Sequence, residues 1–148
     1  MRSSQRWYRP LLERSIGTTD LVQKEYPDCV FRLDKREIQQ NRMIRQIRFE
    51  LHGQTIVQAR AEVDLTRSSP AVAKLLRETD TPIGEIVRSF RTRRTRLRST
   101  TRTREFHFIG DLHAKVWERF YVYHPPKNGN AAAWASKNLV AKKPFIIG

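Results

Sequence analysis

Two charged residues of this sequence occupy strand positions whose neighbours on the same face are apolar. Over residues 43–51 the odd positions are Met, Arg, Ile, Phe and Leu, so Arg45 shares a face with apolar side chains. Over residues 116–122 the even positions are Val, Glu, Phe and Val, so Glu118 does the same. A charge on a core face is costly unless it is paired or binds a ligand. The two residues therefore predict either a buried salt bridge or the two ends of a pocket for an anionic ligand that bears a hydroxyl group.

Composition limits the class of protein and the class of partner. A chain of 148 residues with 39% hydrophobic residues is expected to form one domain with its own core. Its single cysteine, Cys29, is expected to be a packed core thiol and indicates a reducing compartment, so we expect a cytoplasmic protein. No apolar run approaches the ~18 residues of a membrane span. The net charge of +14 indicates an anionic partner, which can be a nucleic acid, a membrane surface or an acidic metabolite.

Alternation of apolar and polar residues predicts strands, which two tight turns connect into hairpins. The predicted strands cover residues 29–33, 43–51, 55–65, 104–109 and 114–123. The hairpin turns contain Gly53 and Gly110. The Arg- and Thr-rich residues 90–104 predict an additional exposed strand, whereas the polar residues 34–42 predict an irregular connection.

Short helices are predicted in the remaining segments. They cover residues 7–15, 21–26, 70–78 and 83–89. Ser69 and Pro70 supply the N-cap and the first residue of the third helix, and a Thr or Asp of residues 17–20 is expected to cap the second. This order predicts an α+β domain over residues 1–124, with a single antiparallel β-sheet and helices packed on one face. Residues 125–148 predict a C-terminal tail that is poorly ordered or docked on the domain.

Four segments, taken in order along the chain, match the motifs of a known enzyme family. The segments are Gly17-Thr18-Thr19, Ile44-Arg45-Gln46-Ile47 with Gly53 and Ala59-Arg60, residues 80–86, and residues 104–120. They are similar to a Gly-[Ser/Thr]-hydrophobic-Thr turn, an LREI…G…AR hairpin, a (T/D)PLG-x-x-L helix start and a closing RR…(T/W)E-x-F hairpin. With these motifs the chain resembles the chorismate pyruvate-lyase family over residues 10–123.

The resemblance implies both an activity and a set of site residues. The family converts chorismate into 4-hydroxybenzoate and pyruvate, for ubiquinone or other aromatic biosynthesis, and it needs no metal or cofactor. Its fold is an antiparallel sheet with helices on one side and the ligand buried under mobile flaps. Carried over by motif, Arg45 and Glu118 are the expected catalytic residues. The expected substrate-binding residues are Arg45, which would hold the ring carboxylate, Glu118, which would contact the ring oxygen, and the main-chain groups of Thr19 and Ile83.

Eight arginines within seventeen residues form a second notable feature. They are Arg88, Arg91, Arg93, Arg94, Arg96, Arg98, Arg102 and Arg104. The cluster predicts either a solvated basic edge strand or a surface that grips phosphates and binds nucleic acid without sequence preference. Phe90 is the sole aromatic residue inside it, so a base-stacking platform is not expected. A milder role is long-range attraction of a dianionic substrate.

The histidines do not predict a metal site. The spacing of His52, His107, His113 and His124 fits no metal-binding motif, and no pair of cysteines accompanies them. His52 and His113 fall in the predicted turns and are expected to face solvent.

The sequence leaves three functions open. The first is a cofactor-independent lyase that acts on a small anionic cyclohexadienyl substrate. The second is a non-catalytic module of the same fold that binds a small aromatic acid, as in the effector domains of some transcription regulators. The third is a basic nucleic-acid-binding protein. Asp20-Leu21 stands where the family more often has Thr-Arg, which bears on activity more than on fold. The sequence does not define an oligomeric state.

Overall fold

One antiparallel sheet of six strands dominates the protein. The computed structural model describes residues 6–125. Its strands are β1 (Val30–Gln39), β2 (Arg42–Leu51), β3 (Gln54–Asp64), β4 (Thr92–Ser99), β5 (Thr103–Gly110) and β6 (Ala114–Phe120). They lie in the order β1-β2-β3-β6-β5-β4, and every neighbouring pair is antiparallel. The predicted α+β class with a single antiparallel sheet is confirmed, and so are the two hairpins and the exposed Arg-rich strand.

The prediction of an irregular connection over residues 34–42 was wrong. Strand β1 continues to Gln39, and a tight turn with Gln40 in a left-handed conformation (φ 58°) leads directly into β2. The outer half of β1 is exposed at the edge of the sheet, so no buried face imposes an alternating pattern on its sequence. Backbone pairing with β2 holds these residues in a strand although their side chains are polar.

Four short helices connect or precede the strands. They are α1 (Arg9–Glu13), α2 (Thr18–Glu25), α3 (Pro70–Glu78) and α4 (Ile83–Ile86), and a 3₁₀ turn (Val87–Ser89) follows α4. Ser69 caps α3 as predicted, because its hydroxyl accepts a hydrogen bond from the Val72 amide at 3.3 Å.

The predicted Thr or Asp cap of α2 was wrong. The N-cap residue of α2 is Gly17, and it has no side chain to bond the first turn. The helix therefore begins at Thr18, three residues before the predicted start. The hydroxyl of Thr18 is engaged elsewhere, in a hydrogen bond to Glu118.

The helices pack on one face of the sheet through two apolar clusters. In the first, Leu11 of α1 and Val22 of α2 pack with Phe49, Val57 and Phe120. In the second, the helical residues Val72, Leu76 and Ile86 pack with Met43, Val63, Phe106, Phe108 and Val116. Cys29 is fully buried in the first cluster, as predicted for a core thiol.

The predicted boundary after residue 124 falls at the end of the described chain. Pro125 is the last described residue, so residues 126–148 of the expected tail lie outside the described part of the chain. Within residues 6–125, no helix is both long enough and apolar enough to cross a lipid bilayer.

Candidate ligand-binding site

A small cavity lies between the sheet and the helices, where the two apolar clusters meet. Its volume is about 60 Å³. Its floor includes Ala59 and Ala61, which lie on the inner face of β3 between the neighbouring strands β2 and β6. The β-branched residues usual in a strand interior would fill this space, so the two alanines keep it open. The aromatic rings of Phe49 and Phe106 form part of its walls.

All four site residues predicted from the sequence line this one cavity. They are Thr19, Arg45, Ile83 and Glu118. Arg45 pairs with Ala61 on β3, whereas Glu118 pairs with Ala59, so the two charges lie two strands apart and two residues apart along the strands. With ordinary strand spacing their α-carbons are about 12 Å apart. The strand parity that placed both charges inward is confirmed, since Arg45 is 1% exposed and Glu118 is 8% exposed.

Arg45 is a buried cation with unused hydrogen-bonding capacity. One terminal nitrogen donates to the Thr81 carbonyl at 3.0 Å, and this is its hydrogen bond within the described chain. Its Nε is buried and has no acceptor among residues 6–125. Burial, together with the neighbouring Arg36 cation, lowers the pKa of Arg45 to about 10, and Asp80 opposes this effect. The guanidinium therefore has one buried donor, Nε, to which no described residue offers an acceptor.

Glu118 does not pair with Arg45, so the simple salt bridge considered from the sequence was wrong. Its partner is Arg104, whose Nε donates to one carboxylate oxygen at 2.6 Å. The other oxygen accepts a hydrogen bond from the Thr18 hydroxyl at 2.7 Å. This pair is buried and well bonded, and it fixes the Glu118 carboxylate at its end of the cavity.

Sequence reasoning missed the inward position of Arg104. The residue lies in the eight-arginine cluster, which was interpreted as one solvated or phosphate-binding surface. Period-two alternation was available as a signal, because Arg104, Phe106 and Phe108 alternate with Glu105 and His107. Applied to β5, the argument that placed Arg45 inward also places Arg104 inward.

Arg94 is a second member of the cluster that turns inward. It lines the cavity, and its guanidinium lies over the rings of Phe106 and Phe108, with centroid distances of 5.3 Å and 5.0 Å. Its Nε is buried without an acceptor among the described residues. Burial and the nearby Arg104 cation lower the pKa of Arg94, against smaller opposing effects of Glu118 and Asp20.

The remaining members of the cluster are solvent-exposed. They are Arg88, Arg91, Arg93, Arg96, Arg98 and Arg102. Within residues 6–125, Arg88 forms an ion pair with Asp20, whereas the other five form none. The cluster therefore divides into an inner pair and an outer basic edge.

A close helix–helix contact forms the wall of the cavity beside Thr19 and Ile83. The α-carbon of Gly84 lies so near Thr19 that a β-carbon at residue 84 would come within 2.6 Å of the Thr19 hydroxyl oxygen. Only glycine permits this approach of α4 to the first turn of α2. The first turns of these two helices are the segments that would have to separate for a larger ligand to enter.

The prediction that His52 faces solvent was wrong. Its two ring nitrogens lie 2.5 Å from the Tyr123 hydroxyl and 2.5 Å from a carboxylate oxygen of Asp28. These contacts tie the turn between β2 and β3 to the C-terminal end of the described chain. Residues 6–125 contain no group of three or more His, Cys, Asp or Glu side chains suited to hold a metal ion.

No family model and no curated protein matches this chain. The site must therefore be interpreted from its own chemistry. It is a small apolar cavity with a partly unbonded guanidinium at one end and a fixed carboxylate at the other. Such an arrangement can bind a flat, anionic molecule that carries a hydrogen-bond donor opposite its negative charge.

Proposed function

We propose that the cavity binds a ring carboxylate, and that the protein is a cofactor-independent lyase that converts chorismate into 4-hydroxybenzoate and pyruvate. The observation that carries the proposal is the buried Nε of Arg45, which lacks an acceptor within the described chain. Burial lowers the pKa of this arginine, and no carboxylate of residues 6–125 forms an ion pair with it. Such a side chain suits an anion supplied by a ligand.

Arg45 is the proposed partner of the ring carboxylate. Its planar guanidinium offers parallel N–H donors that match the two oxygens of a carboxylate. The Thr81 carbonyl already orients one terminal nitrogen, so the side chain is positioned before the ligand arrives. Arg104 and Thr18 leave the Glu118 carboxylate free lone pairs, since a carboxylate has about four acceptor sites. Glu118 can therefore accept the proton of the ring hydroxyl at the far end.

The ring would lie on the floor formed by Ala59 and Ala61, against the apolar wall. An apolar cavity of ~150 Å³ is needed to hold one benzene ring. The cavity of about 60 Å³ is smaller than this, so ligand binding requires it to expand. Separation of the α2 and α4 first turns, which meet at Thr19 and Gly84, is the simplest route. In the proposed reaction these turns would serve as the mobile flaps that the family resemblance implies.

The reaction requires no redox partner, because the atoms of chorismate equal those of its two products. The bond between the ring carbon and the enolpyruvyl oxygen breaks, and the ring loses the hydrogen of its hydroxyl-bearing carbon. The enolpyruvyl methylene gains a hydrogen and becomes the methyl group of pyruvate. Aromatisation supplies the driving force, so the task of the protein is to orient the substrate and stabilise developing charge.

The direct test is incubation of the purified protein with chorismate. The expected result is equimolar 4-hydroxybenzoate, followed by absorbance, and pyruvate, followed by a coupled lactate dehydrogenase assay. Tight binding of 4-hydroxybenzoate without turnover would instead support the non-catalytic module. Neither turnover nor binding would contradict both forms of the proposal.

The variant Arg45→Gln tests the site assignment. Loss of a charge-assisted contact of about 3 kcal/mol should weaken 4-hydroxybenzoate binding by about 100-fold. Arg42→Gln is the matched control, because Arg42 belongs to the same strand and is exposed. Its affinity should equal that of the wild-type protein. Unchanged affinity in the Arg45 variant would remove Arg45 from the site.

Non-specific nucleic-acid binding is a second candidate function, which the outer basic edge favours. The five exposed arginines of this edge without an ion pair in the described chain are Arg91, Arg93, Arg96, Arg98 and Arg102. A groove of about 660 Å³ beside them is lined by Trp117, Arg60 and Arg119 among others. The affinity for a labelled single-stranded oligonucleotide should then fall steeply between 50 and 200 mM salt, by about 300-fold for about six phosphate contacts. Binding that is absent at 50 mM salt would contradict this function.

A further inference from the structure

Arg94 is an inward cation that forms no ion pair with a carboxylate of residues 6–125, although Asp20 and Glu118 lie near enough to act on its charge. It follows the exposed Arg93 on β4, so the alternation of the strand turns its side chain toward the cavity. Its guanidinium lies over the faces of Phe106 and Phe108, and it makes no hydrogen bond within residues 6–125. Aromatic faces compensate part of the lost hydration of a guanidinium, but they leave its N–H donors without acceptors.

The charges around the cavity do not balance. Glu118 neutralises Arg104, to which it is bonded directly. Arg45 and Arg94 form no ion pair with any described residue. Arg45 and Arg94 therefore carry two positive charges that no direct ion pair among the described residues neutralises. Burial, followed by a neighbouring arginine, lowers the pKa of both side chains, and the nearby carboxylates offset this effect only in part. A ligand with two negative charges would neutralise the region, whereas a monoanion would leave one cation unmatched.

The two unmatched cations enter the cavity from opposite sides. Arg45 lies on β2 and Arg94 on β4, four strand spacings apart across the sheet. This separation is about 19 Å at ordinary strand spacing, and both long side chains reduce it by pointing into the same space. Gly17 keeps room beside Arg94, because a β-carbon there would come within 3.3 Å of its Nη2.

We propose that Arg94 binds a second carboxylate, so that the cavity selects dicarboxylates over monocarboxylates. The inference rests on the proposed function, because it takes the cavity to be the ligand site. In the proposed reaction Arg45 holds the ring carboxylate and Arg94 holds the enolpyruvyl carboxylate, which departs with pyruvate. The remaining 4-hydroxybenzoate keeps its contacts with Arg45 and Glu118 but loses the charge-assisted contact with Arg94.

The test compares two stable ligands that differ by one carboxylate. 4-Hydroxybenzoate carries one, and 3-(1-carboxyethoxy)-4-hydroxybenzoate adds a second through a lactyl ether. Dissociation constants are measured by calorimetry for the full-length wild-type protein, Arg94→Gln and the exposed neighbour variant Arg93→Gln. We expect the wild-type protein and Arg93→Gln to bind the dicarboxylate at least tenfold more tightly than the monocarboxylate. Arg94→Gln should lose this preference while its affinity for 4-hydroxybenzoate changes less than threefold.

Each outcome decides the inference. If Arg94→Gln binds both ligands more weakly by the same factor, Arg94 has a structural role. If it binds both ligands as tightly as the wild-type protein does, Arg94 has no role in binding. Either result overturns the second-carboxylate subsite. A wild-type protein that binds 4-hydroxybenzoate but shows no preference for the dicarboxylate overturns the inference alone and leaves the proposed function intact. A wild-type protein that binds neither compound overturns the proposed function together with the inference.

Discussion

Arg104 and Arg45 are both buried guanidiniums on the same face of one sheet, yet their surroundings are opposite. Arg104 donates hydrogen bonds from all three of its nitrogens, and its acceptors are Glu118, Thr18 and the carbonyls of Leu11 and Arg14. Arg45 donates one hydrogen bond, and its Nε has no acceptor within the described chain. A buried cation with every nitrogen bonded stabilises the fold, whereas one with a donor left over destabilises the unliganded protein.

The difference teaches how one residue type can serve two purposes on one face of a single sheet. Arg104 connects β5 to the α1 segment through the two carbonyls, and it fixes Glu118 through an ion pair. Arg45 fixes little, because its one acceptor is the Thr81 carbonyl. Removal of Arg104 should therefore affect the fold first, and removal of Arg45 should affect binding first.

The largest effect is expected for Arg104→Met. This variant leaves the Glu118 carboxylate buried without its counter-ion and the Leu11 and Arg14 carbonyls without their donor. The free energy of unfolding should fall by about 3–5 kcal/mol, measured by urea denaturation. The double variant Arg104→Met/Glu118→Met removes both charges and should regain most of this loss. A single variant as stable as the wild-type protein would contradict the structural role of Arg104.

The rate at which a thiol reagent labels Cys29 should distinguish the structural role of Arg104 from the binding role of Arg45. The thiol is fully buried in the cluster that contains Leu11, and burial, followed by the nearby Asp28 charge, raises its pKa. Because the thiolate is the reactive form, a disulfide reagent at pH 8 should modify it only after the cluster opens. Arg104→Met should speed labelling by about 10²–10⁴-fold, which corresponds to about 3–5 kcal/mol. Arg45→Met should label no faster than the wild-type protein.

An increase in stability is expected for Arg45→Met. The variant removes a buried cation that has no ion pair within residues 6–125. It should therefore stabilise the unliganded protein by about 1–3 kcal/mol while it abolishes binding of 4-hydroxybenzoate. The pKa of Arg45 is lowered to about 10, so the unfolded state binds more protons between pH 10 and the ordinary arginine value. The free energy of unfolding of the wild-type protein should therefore rise relative to that of the variant as the pH rises through 10. From pH 6 to 9 the difference between the two free energies of unfolding should be constant. Urea denaturation of both proteins at pH 7, 9 and 10.5 measures this difference. A variant less stable than the wild-type protein at pH 7 would contradict the proposed difference between Arg45 and Arg104.

Strand parity explains how much of this site could be predicted from the sequence. Arg45 and Glu118 each lie in a long alternating run, and that alternation is a direct consequence of a strand with one buried face. Arg94 lies in strand β4, where arginine occupies both faces, so composition hid that it turns inward. Arg104 was missed because it was grouped with that segment, although its own strand β5 alternates. An irregularity in the β4–β5 register between Thr95 and Arg98 further disrupts the alternation.

The partners of the buried charges could not be predicted in the same way. Thr18 lies 100 residues from Glu118 in the sequence, and no local pattern encodes their hydrogen bond. The sequence predicted that a Thr or Asp side chain would cap the N-terminus of α2. The Thr18 hydroxyl instead donates to the Glu118 carboxylate, so the capping prediction failed. Strand β1 is the corresponding case in the fold, because backbone pairing with β2 overrides its polar composition.

The smallest effect is expected for Thr18→Val, and its neighbour provides the control. The Thr18 hydroxyl donates to Glu118 and accepts from Arg104, so the substitution leaves one acceptor and one donor of the buried pair unbonded. Unfolding free energy should fall by about 1–2 kcal/mol. Thr19 is equally buried but has no side-chain hydrogen bond within residues 6–125, so Thr19→Val should change stability by less than about 0.5 kcal/mol. Equal losses in the two variants would mean that packing around the α2 first turn, and not the bonded network of Arg104, holds Glu118 in place.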